Sequence, residues 1–298
     1  MRRLLVTGAS GMTGAEVSER AQRADWAVFP YSRAELDITD AAAVEAAVRA
    51  CRPDAIINCA AYTAVDRAES EPEQAAAVNI DGTRNIARAA SAAGFPVIHL
   101  STDYVFGGDE GIPYTPDAPT APLGVYGKTK LAGEDAVREH APRHVIIRTS
   151  WVFSHRGANF VKTILRLAAE RDELRVVDDQ IGRPTSAADL ADALLVVADS
   201  VAEHSPIKGT YHFANAGETS WFDFAKAILE ELSTRGETHL PRLVAIRTSD
   251  YSTAARRPGY SVLDTESFAE RFGVVARPWR DALRDTISLT LAETATRA

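Results

Sequence analysis

Through the first half of the chain, short apolar runs alternate with longer stretches of helical composition. The runs Arg3–Thr7, Ala27–Tyr31, Ala55–Cys59, Val97–Ser101 and Val145–Thr149 are largely continuous in their apolar character, as strands buried on both faces are. Between them lie Thr13–Ala24, Ala41–Ala50, Gln74–Ala93 and Tyr126–His140, which read as helices. Strands separated by helices predict an α/β fold, a doubly wound parallel sheet with right-handed crossovers and helices on both faces.

Beyond about residue 150 the pattern loosens. Helices are expected at Asn159–Glu170, Ala187–Ser200, Trp221–Ser233 and Trp279–Leu291, and short strands at Arg175–Val177, Thr210–Phe213 and Leu243–Ile246. Leu190, Leu194 and Val197 share one face at helical spacing. Residues 1–150 are read as a dinucleotide-binding unit and 151–298 mainly as a smaller, discontinuous substrate lobe, with some segments returning to the sheet. The stretch Gly107–Gly124, rich in proline and glycine, is expected to be irregular and to lie beside the site.

The chain has 298 residues and a formal net charge of −8, with 46% hydrophobic residues, an ordinary balance for a globular protein. A mildly acidic chain offers no basic surface for nucleic acid. The longest stretch without a charged residue, Ala89–Thr102, is too short to span a bilayer, so no membrane partner is expected. Met1-Arg2-Arg3 before Leu4–Val6 resembles a signal peptide only faintly, because the apolar run breaks at Gly8; a first strand is the better reading. Cys51 and Cys59 are the only cysteines and the histidines are scattered, which points to the cytoplasm and to no metal centre.

The candidate chemistry begins at Thr7-Gly8-Ala9-Ser10-Gly11-Met12-Thr13-Gly14, between a strand and a helix. Gly8, Gly11 and Gly14 permit a tight turn whose backbone N–H groups can approach a pyrophosphate, helped by the helix N-terminus. This is the context of a Rossmann-like dinucleotide site. At the end of the second strand, Ser32-Arg33 stands where an acidic residue would bind a ribose 2′-hydroxyl and an arginine would accept a 2′-phosphate. That favours NADPH, while Glu35 and Asp37 nearby leave NADH open. Lys130 follows Tyr126 by one helical turn, and an ammonium beside a phenol lowers its pKa, making Tyr126 a candidate general acid. Thr102, at the carboxyl end of the fourth strand, is a candidate to hydrogen-bond a carbonyl oxygen; a turn-forming Thr102-Asp103 pair is the alternative.

Together these residues resemble the extended short-chain dehydrogenase/reductase family, and within it the dTDP-4-dehydrorhamnose reductases. The resemblance covers nearly the whole chain and includes Asn58–Glu69, Ser101–Phe106, Val125–Gly133, Arg148–Phe153, Asp179–Thr185 and Arg257-Pro258-Gly259. It implies NADPH-dependent reduction of the C4 ketone of a dTDP-4-keto-6-deoxy-hexose, with dTDP-4-dehydro-L-rhamnose as substrate. Gly11, Met12 and Thr13 would line the pyrophosphate, and Asp37 and Ile38 would touch the adenosine end. Ala60, Ala61 and Tyr62 would follow the cofactor, and Thr102, Tyr126 and Lys130 would form the catalytic set. Thr102, Asp103 and Trp151 would contact the sugar nucleotide, though Trp151 is open to a second reading as a core aromatic. Arg183 and Arg257, each followed by proline in a net-acidic chain, are expected to bind the substrate diphosphate.

Departures narrow the reading. Sugar-nucleotide dehydratases of the same superfamily resemble Thr-Asp-Glu where this chain has Thr102-Asp103-Tyr104, so an acid/base pair for water elimination is missing. Some reductases of this branch resemble magnesium-bridged dimers. Here Glu16 fits one ligand, Asp189 is a shorter substitute and no third carboxylate is found, so Mg2+ is not expected and a homodimer stays open. The alternatives are a reductase or epimerase of another nucleotide sugar, and a non-catalytic regulatory subunit of the methionine adenosyltransferase type, which shares the fold.

Overall fold

A computed structural model describes residues 1–203 and 207–297. The first half contains β1 (Arg3–Thr7), α1 (Met12–Arg23), β2 (Ala27–Tyr31), α2 (Ala41–Cys51), β3 (Ala55–Asn58), α3 (Val65–Ala68), α4 (Pro72–Ala76), α5 (Thr83–Ala93), β4 (Val97–Thr102), α6 (Val125–His140) and β5 (His144–Thr149). The second contributes β6 (Val152–Phe153), α7 (Phe160–Glu170), β7 (Glu173–Val177), β8 (Ile181–Gly182), β9 (Thr185–Ser186), α8 (Ala187–Ala202), β10 (Gly209–His212), β11 (Thr219–Ser220), α9 (Trp221–Thr234), β12 (Arg242–Ile246), α10 (Glu266–Phe272) and α11 (Trp279–Arg297).

Six strands form one parallel sheet in the order β10-β5-β4-β3-β1-β2. The fold is thus the expected doubly wound, Rossmann-like sheet. Because β1 pairs with β2 on one side and β3 on the other, successive connections diverge there and open a crevice at the carboxyl edge. The strands carry apolar residues on both faces. Leu4, Val6, Ile57, Ile98 and Ile147 meet Val17 of α1 and Leu190, Leu194 and Val197 of α8. Leu5, Ile56, Val97 and Ile146 meet Val44 and Val48 of α2, Ile86 of α5 and Val137 of α6. Each large side chain so buried contributes roughly 1.5–3 kcal/mol, so slipping one strand by a residue would sacrifice both faces.

The single helix expected over Gln74–Ala93 is interrupted. A π-helical turn, Ala77–Gly82, separates α4 from α5. It turns Asn79 inward, where the carboxamide accepts from Tyr62 N at 2.8 Å and donates to Tyr62 O at 3.2 Å and Thr129 Oγ1 at 3.1 Å. Gly133 allows the close approach: a Cβ there would stand 2.3 Å from the Asn79 carbonyl oxygen.

The second half has its own core, in which Phe153, Val161, Ile164, Leu174, Phe224, Ile228, Trp279 and Leu283 pack together. Its β7 and β12 pair in parallel. The two-residue strands β6, β8, β9 and β11 escaped the sequence reading because two residues carry no periodicity. Among the described residues no helix is long and apolar enough to cross a membrane.

Candidate active site

The glycine turn is the tightest piece of backbone at the crevice. Gly8 has φ +68°, and a Cβ there would lie 2.7 Å from Ala60 N, while one on Gly14 would lie 2.2 Å from Gly8 O. Only hydrogen fits at either place. Gly11 caps α1 without a side-chain partner, leaving the first helical N–H groups, those of Met12 and Thr13 included, to a ligand. A group with a pyrophosphate therefore fits this turn. Ala60 N donates to Asn58 Oδ1, and Tyr62 is clamped by Asn79 and donates its hydroxyl to Glu71 at 2.6 Å, so the segment from Ala60 through Ala61 to Tyr62 is held against β3.

At the rim, Ser32 gives both its N–H and hydroxyl to Glu35, while Arg33 is exposed. The Asp37 carboxylate is engaged by Thr39 N and Oγ1, which hold it below its ordinary range. Ile38 is 4% exposed and packs under Gly82, as part of the core.

Thr102, Tyr126 and Lys130 converge where β4 ends and α6 begins. Gly124 caps α6, and Val125 N donates to Glu69 at 2.8 Å. Tyr126 and Lys130 then project one turn apart. The Tyr126 phenol meets the Thr102 hydroxyl and packs edge-on to Tyr104, with ring centroids 5.6 Å apart. The lowered phenol expected from Lys130 is not what the geometry gives. Burial, with the Asp103 charge adding and the Thr102 hydrogen bond opposing, pushes Tyr126 up to about 12. Lys130 Nζ instead donates to Leu100 O at 2.7 Å and faces His99 Nε2 at 3.4 Å. At neutral pH the phenol therefore keeps its proton, as a proton donor must.

The Thr102 hydroxyl donates to Asp103 Oδ1 at 3.0 Å, and Ser261 Oγ donates to Oδ2 at 2.6 Å. Asp103 is 2% exposed, and burial pushes its carboxyl up to about 6, so it ties the end of β4 to the returning segment near Ser261 rather than presenting an open carboxylate.

The substrate-side expectations separate. Trp151, at φ +47°, stacks on Trp221 with centroids 3.5 Å apart and an interplanar angle of 6°, and its ring lies where a Cβ on Gly182 would be. Nothing local in the sequence marks Trp221 beyond its place at the start of a helix. A cavity of about 590 Å3 opens beside it, lined among others by Phe160, Arg175, Gln180, Tyr251 and Arg257. Arg257 reaches it while forming a forked pair with Asp66 at 2.7 and 3.1 Å, and also bonds the Tyr104 phenol. Arg183 is not on that wall; its guanidinium donates to Thr265 Oγ1 at 3.5 Å and its Nε is buried without a partner. The two arginines therefore do not form one subsite.

The carboxylates weighed for magnesium are both taken by cations. Glu16 accepts from Arg20 and Arg156, each at 3.3 Å, and Asp189 pairs with Arg277 at 3.0 Å. A third carboxylate, which the sequence reading lacks, stands close by: His155 lies 3.5 Å from Glu16 and 3.3 Å from Glu293. Among the described residues, no group of three or more His, Cys, Asp or Glu side chains is arranged to hold a metal ion.

Residues 1–291 match the family described as the RmlD substrate binding domain. A dTDP-4-dehydrorhamnose reductase from Sinorhizobium fredii is 42% identical over 296 residues, covering 98% of each chain. Among solved structures, a dTDP-4-dehydrorhamnose reductase from Clostridium acetobutylicum superposes with a TM-score of 0.90 at 37% identity, over 96% of this chain and 99% of that one. The enzyme of the same name from Bacillus anthracis, in complex with NADP, gives 0.89 at 37% identity with the same coverage. With the glycine turn, the Tyr126–Lys130 pair and this agreement over nearly its full length, the chain belongs to the dTDP-4-dehydrorhamnose reductase family, a family of nicotinamide-dependent oxidoreductases.

Proposed function

We propose that this protein uses NADPH to reduce the C4 ketone of a dTDP-4-keto-6-deoxy-hexose, namely dTDP-4-dehydro-L-rhamnose, to dTDP-L-rhamnose. The observation that carries the reading is the convergence of Thr102, Tyr126 and Lys130 at the crevice edge, with Arg257, on the wall of the cavity, bonded to the Tyr104 phenol that packs on Tyr126.

The nicotinamide supplies the hydride, and the chain supplies position and a proton. Gly8, Gly11, Met12, Thr13 and Gly14 hold the pyrophosphate, and Ser32 and Arg33 face the adenosine phosphate. Tyr126, protonated at neutral pH, gives its proton to the oxygen at C4 as the alkoxide develops. Thr102 holds the phenol in line, oriented by Asp103. Lys130 would hold the ribose hydroxyls of the bound nicotinamide cofactor. Trp151 and Trp221 wall the sugar nucleotide site and Arg257 meets the diphosphate. In this scheme residues 1–150 serve the cofactor and residues 151–298 mainly serve the substrate.

NADPH oxidation across a panel of dTDP-4-keto sugars, with stereochemical assignment of each product, tests the proposal. Turnover giving the L-rhamno product supports it. Turnover confined to another nucleotide sugar replaces the substrate. No turnover of any ketone, with capture of a stable hetero-complex, overturns the enzyme reading in favour of a regulatory module.

A further inference from the structure

A line of buried polar groups runs beneath the crevice, and no step above uses it. Thr7 Oγ1 donates to Asn58 Oδ1 at 2.6 Å, Asn58 Nδ2 lies 3.1 Å from His99 Nδ1, and His99 Nε2 lies 3.4 Å from Lys130 Nζ. Asn58 and His99 are register partners on adjacent strands, β3 and β4. Thr7, Asn58, His99 and Lys130 are each 0–2% exposed. His99 interrupts the otherwise apolar run Val97–Leu100, in the middle of a sheet where an apolar residue would pack without needing partners.

The hydrogen-bond directions along this line are fixed from one end. Asn58 Oδ1 accepts from the Thr7 hydroxyl and from the Ala60 backbone N–H, so the amide nitrogen must face His99. A donor facing Nδ1 requires a lone pair there. Burial, with the charges of Lys130 and Arg138 adding, holds His99 well below its ordinary pKa, so the ring is neutral and its one proton sits on Nε2. That N–H points at Lys130 Nζ.

One neutral group faces Lys130 from β4 besides His99: the Leu100 carbonyl, 2.7 Å from Nζ, which accepts one N–H from an amine or an ammonium alike. Glu134, one turn along α6, is completely buried, but Arg148 holds it at 2.7 and 2.8 Å and Arg138 at 2.7 Å. Cys59, directly after β3, is a neutral thiol, pushed up to about 12 by burial. Tyr126, one turn back, is a neutral phenol. Among the described residues, no carboxylate pairs with Lys130. An N–H aimed at an ammonium repels it, whereas aimed at an amine it is accepted by the nitrogen lone pair.

We propose that Asn58 and His99 are positioning residues for Lys130: they present a fixed N–H to Nζ, which favours the amine over the ammonium and lets the lysine exchange protons near neutral pH. The inference deepens the catalytic reading of Lys130. It is consistent with burial pushing that lysine down to about 8, against the opposing charge of Glu134.

Two measurements test it without any sugar substrate, so their failure is separate from failure of the reductase reading. In 15N-labelled protein, the His99 ring, assigned by its disappearance in His99→Leu, should carry its proton on Nε2 and stay neutral between pH 6 and 9 (roughly the range spanning the ordinary His and lowered Lys values). A proton on Nδ1, or a ring that titrates in that range, overturns the proposal in the unaltered protein. The chain has five lysines, so the Lys130 ε-methylene signal can be followed by NMR and assigned with Lys130→Arg. Its titration midpoint should rise about tenfold in proton affinity in His99→Leu. It should also rise in Asn58→Asp, where the new carboxylate accepts a hydrogen bond and so draws the ring proton from Nε2 to Nδ1, leaving a lone pair facing Nζ. In both variants the alkaline limb of kcat should move up with the midpoint. An unchanged midpoint in folded samples of either variant would reduce His99 to a packing residue.

Discussion

At the glycine turn the protein meets its crevice with backbone: Gly8 and Gly14 leave no room for a methyl group, and the start of α1 offers bare N–H groups. Around Trp221 the cavity is lined by large side chains, Phe160, Tyr251, Arg171, Arg175 and Arg257 among them, backed by the Trp151–Trp221 stack and the forked Arg257–Asp66 pair. The first construction is stiff and indifferent to most side chains in it. The second changes with every substitution. A fold that must accept one cofactor and many substrates gains from putting the invariant ligand on backbone and the variable one on side chains.

The comparison is sharpest at Tyr126, where the two regions meet. Tyr126→Phe should lower kcat by about 10²–10⁴-fold, the usual worth of a general acid. Cofactor affinity, measured by fluorescence titration, should hardly change. Near-normal turnover would remove Tyr126 from the chemistry. On the backbone side, Gly14→Ala puts a Cβ 2.2 Å from Gly8 O. It should cost at least about 3 kcal/mol of stability, at the upper end of overpacking effects, and weaken the cofactor with it. A normal Tm with intact cofactor binding would show the turn to be pliable.

Asp103 tests the bridge between the regions. Burial raises its carboxyl from 3.8 to about 6, so the folded chain binds more protons than the unfolded one between those values. Its contribution to stability is fully present below about pH 4 and lost as pH rises past 6. Asp103→Asn should therefore gain on the unaltered protein by on the order of 2–3 kcal/mol across that window and by nothing further above it. Denaturant titrations at several pH values check this; parallel curves would mean that Asp103 is not the buried acid. On the side-chain side, Arg257→Ala should raise KM for the dTDP-sugar about 30-fold, roughly 2 kcal/mol, and leave KM for NADPH alone. An equal effect on both would erase the division of labour. Smallest is Arg33→Asp at the exposed rim, expected to shift the NADPH/NADH preference by about tenfold, ~1.4 kcal/mol. Equal use of both cofactors by the unaltered protein would show that Arg33 makes no phosphate contact.

The same contrast explains what could be read along the chain. Leu4-Leu5-Val6, Ala55-Ile56-Ile57 and the glycines of the first turn act within a few residues of one another, so periodicity and spacing exposed them. Tyr126 and Lys130 share a helical face for the same reason. The Arg257–Asp66 pair joins residues 191 apart and Ser261–Asp103 joins residues 158 apart, and no local pattern announces either. Arg183 and Arg257 looked alike in sequence because each precedes a proline, yet one reaches the cavity and the other turns to Thr265. Ile38 was assigned to the cofactor by resemblance and is packed beneath Gly82. His99 left one legible sign, a polar ring inside an apolar strand, and that sign points to Lys130 only once β3 and β4 are side by side.

The order of the sheet also dictates a schedule for the growing polypeptide. The strand that covers the outer edge of β5 is β10, and the helix that seals one face over β1 and β3 is α8, both made well after β5 has left the ribosome. Until residue 212 emerges, the nascent sheet carries a bare edge at β5 and an unsealed apolar face. The half that carries β1 to β5 thus waits on the half that follows it. A ribosome stalled between β5 and β10 would release a fragment that is prone to pair edge to edge with its neighbours and is an early target for chaperones.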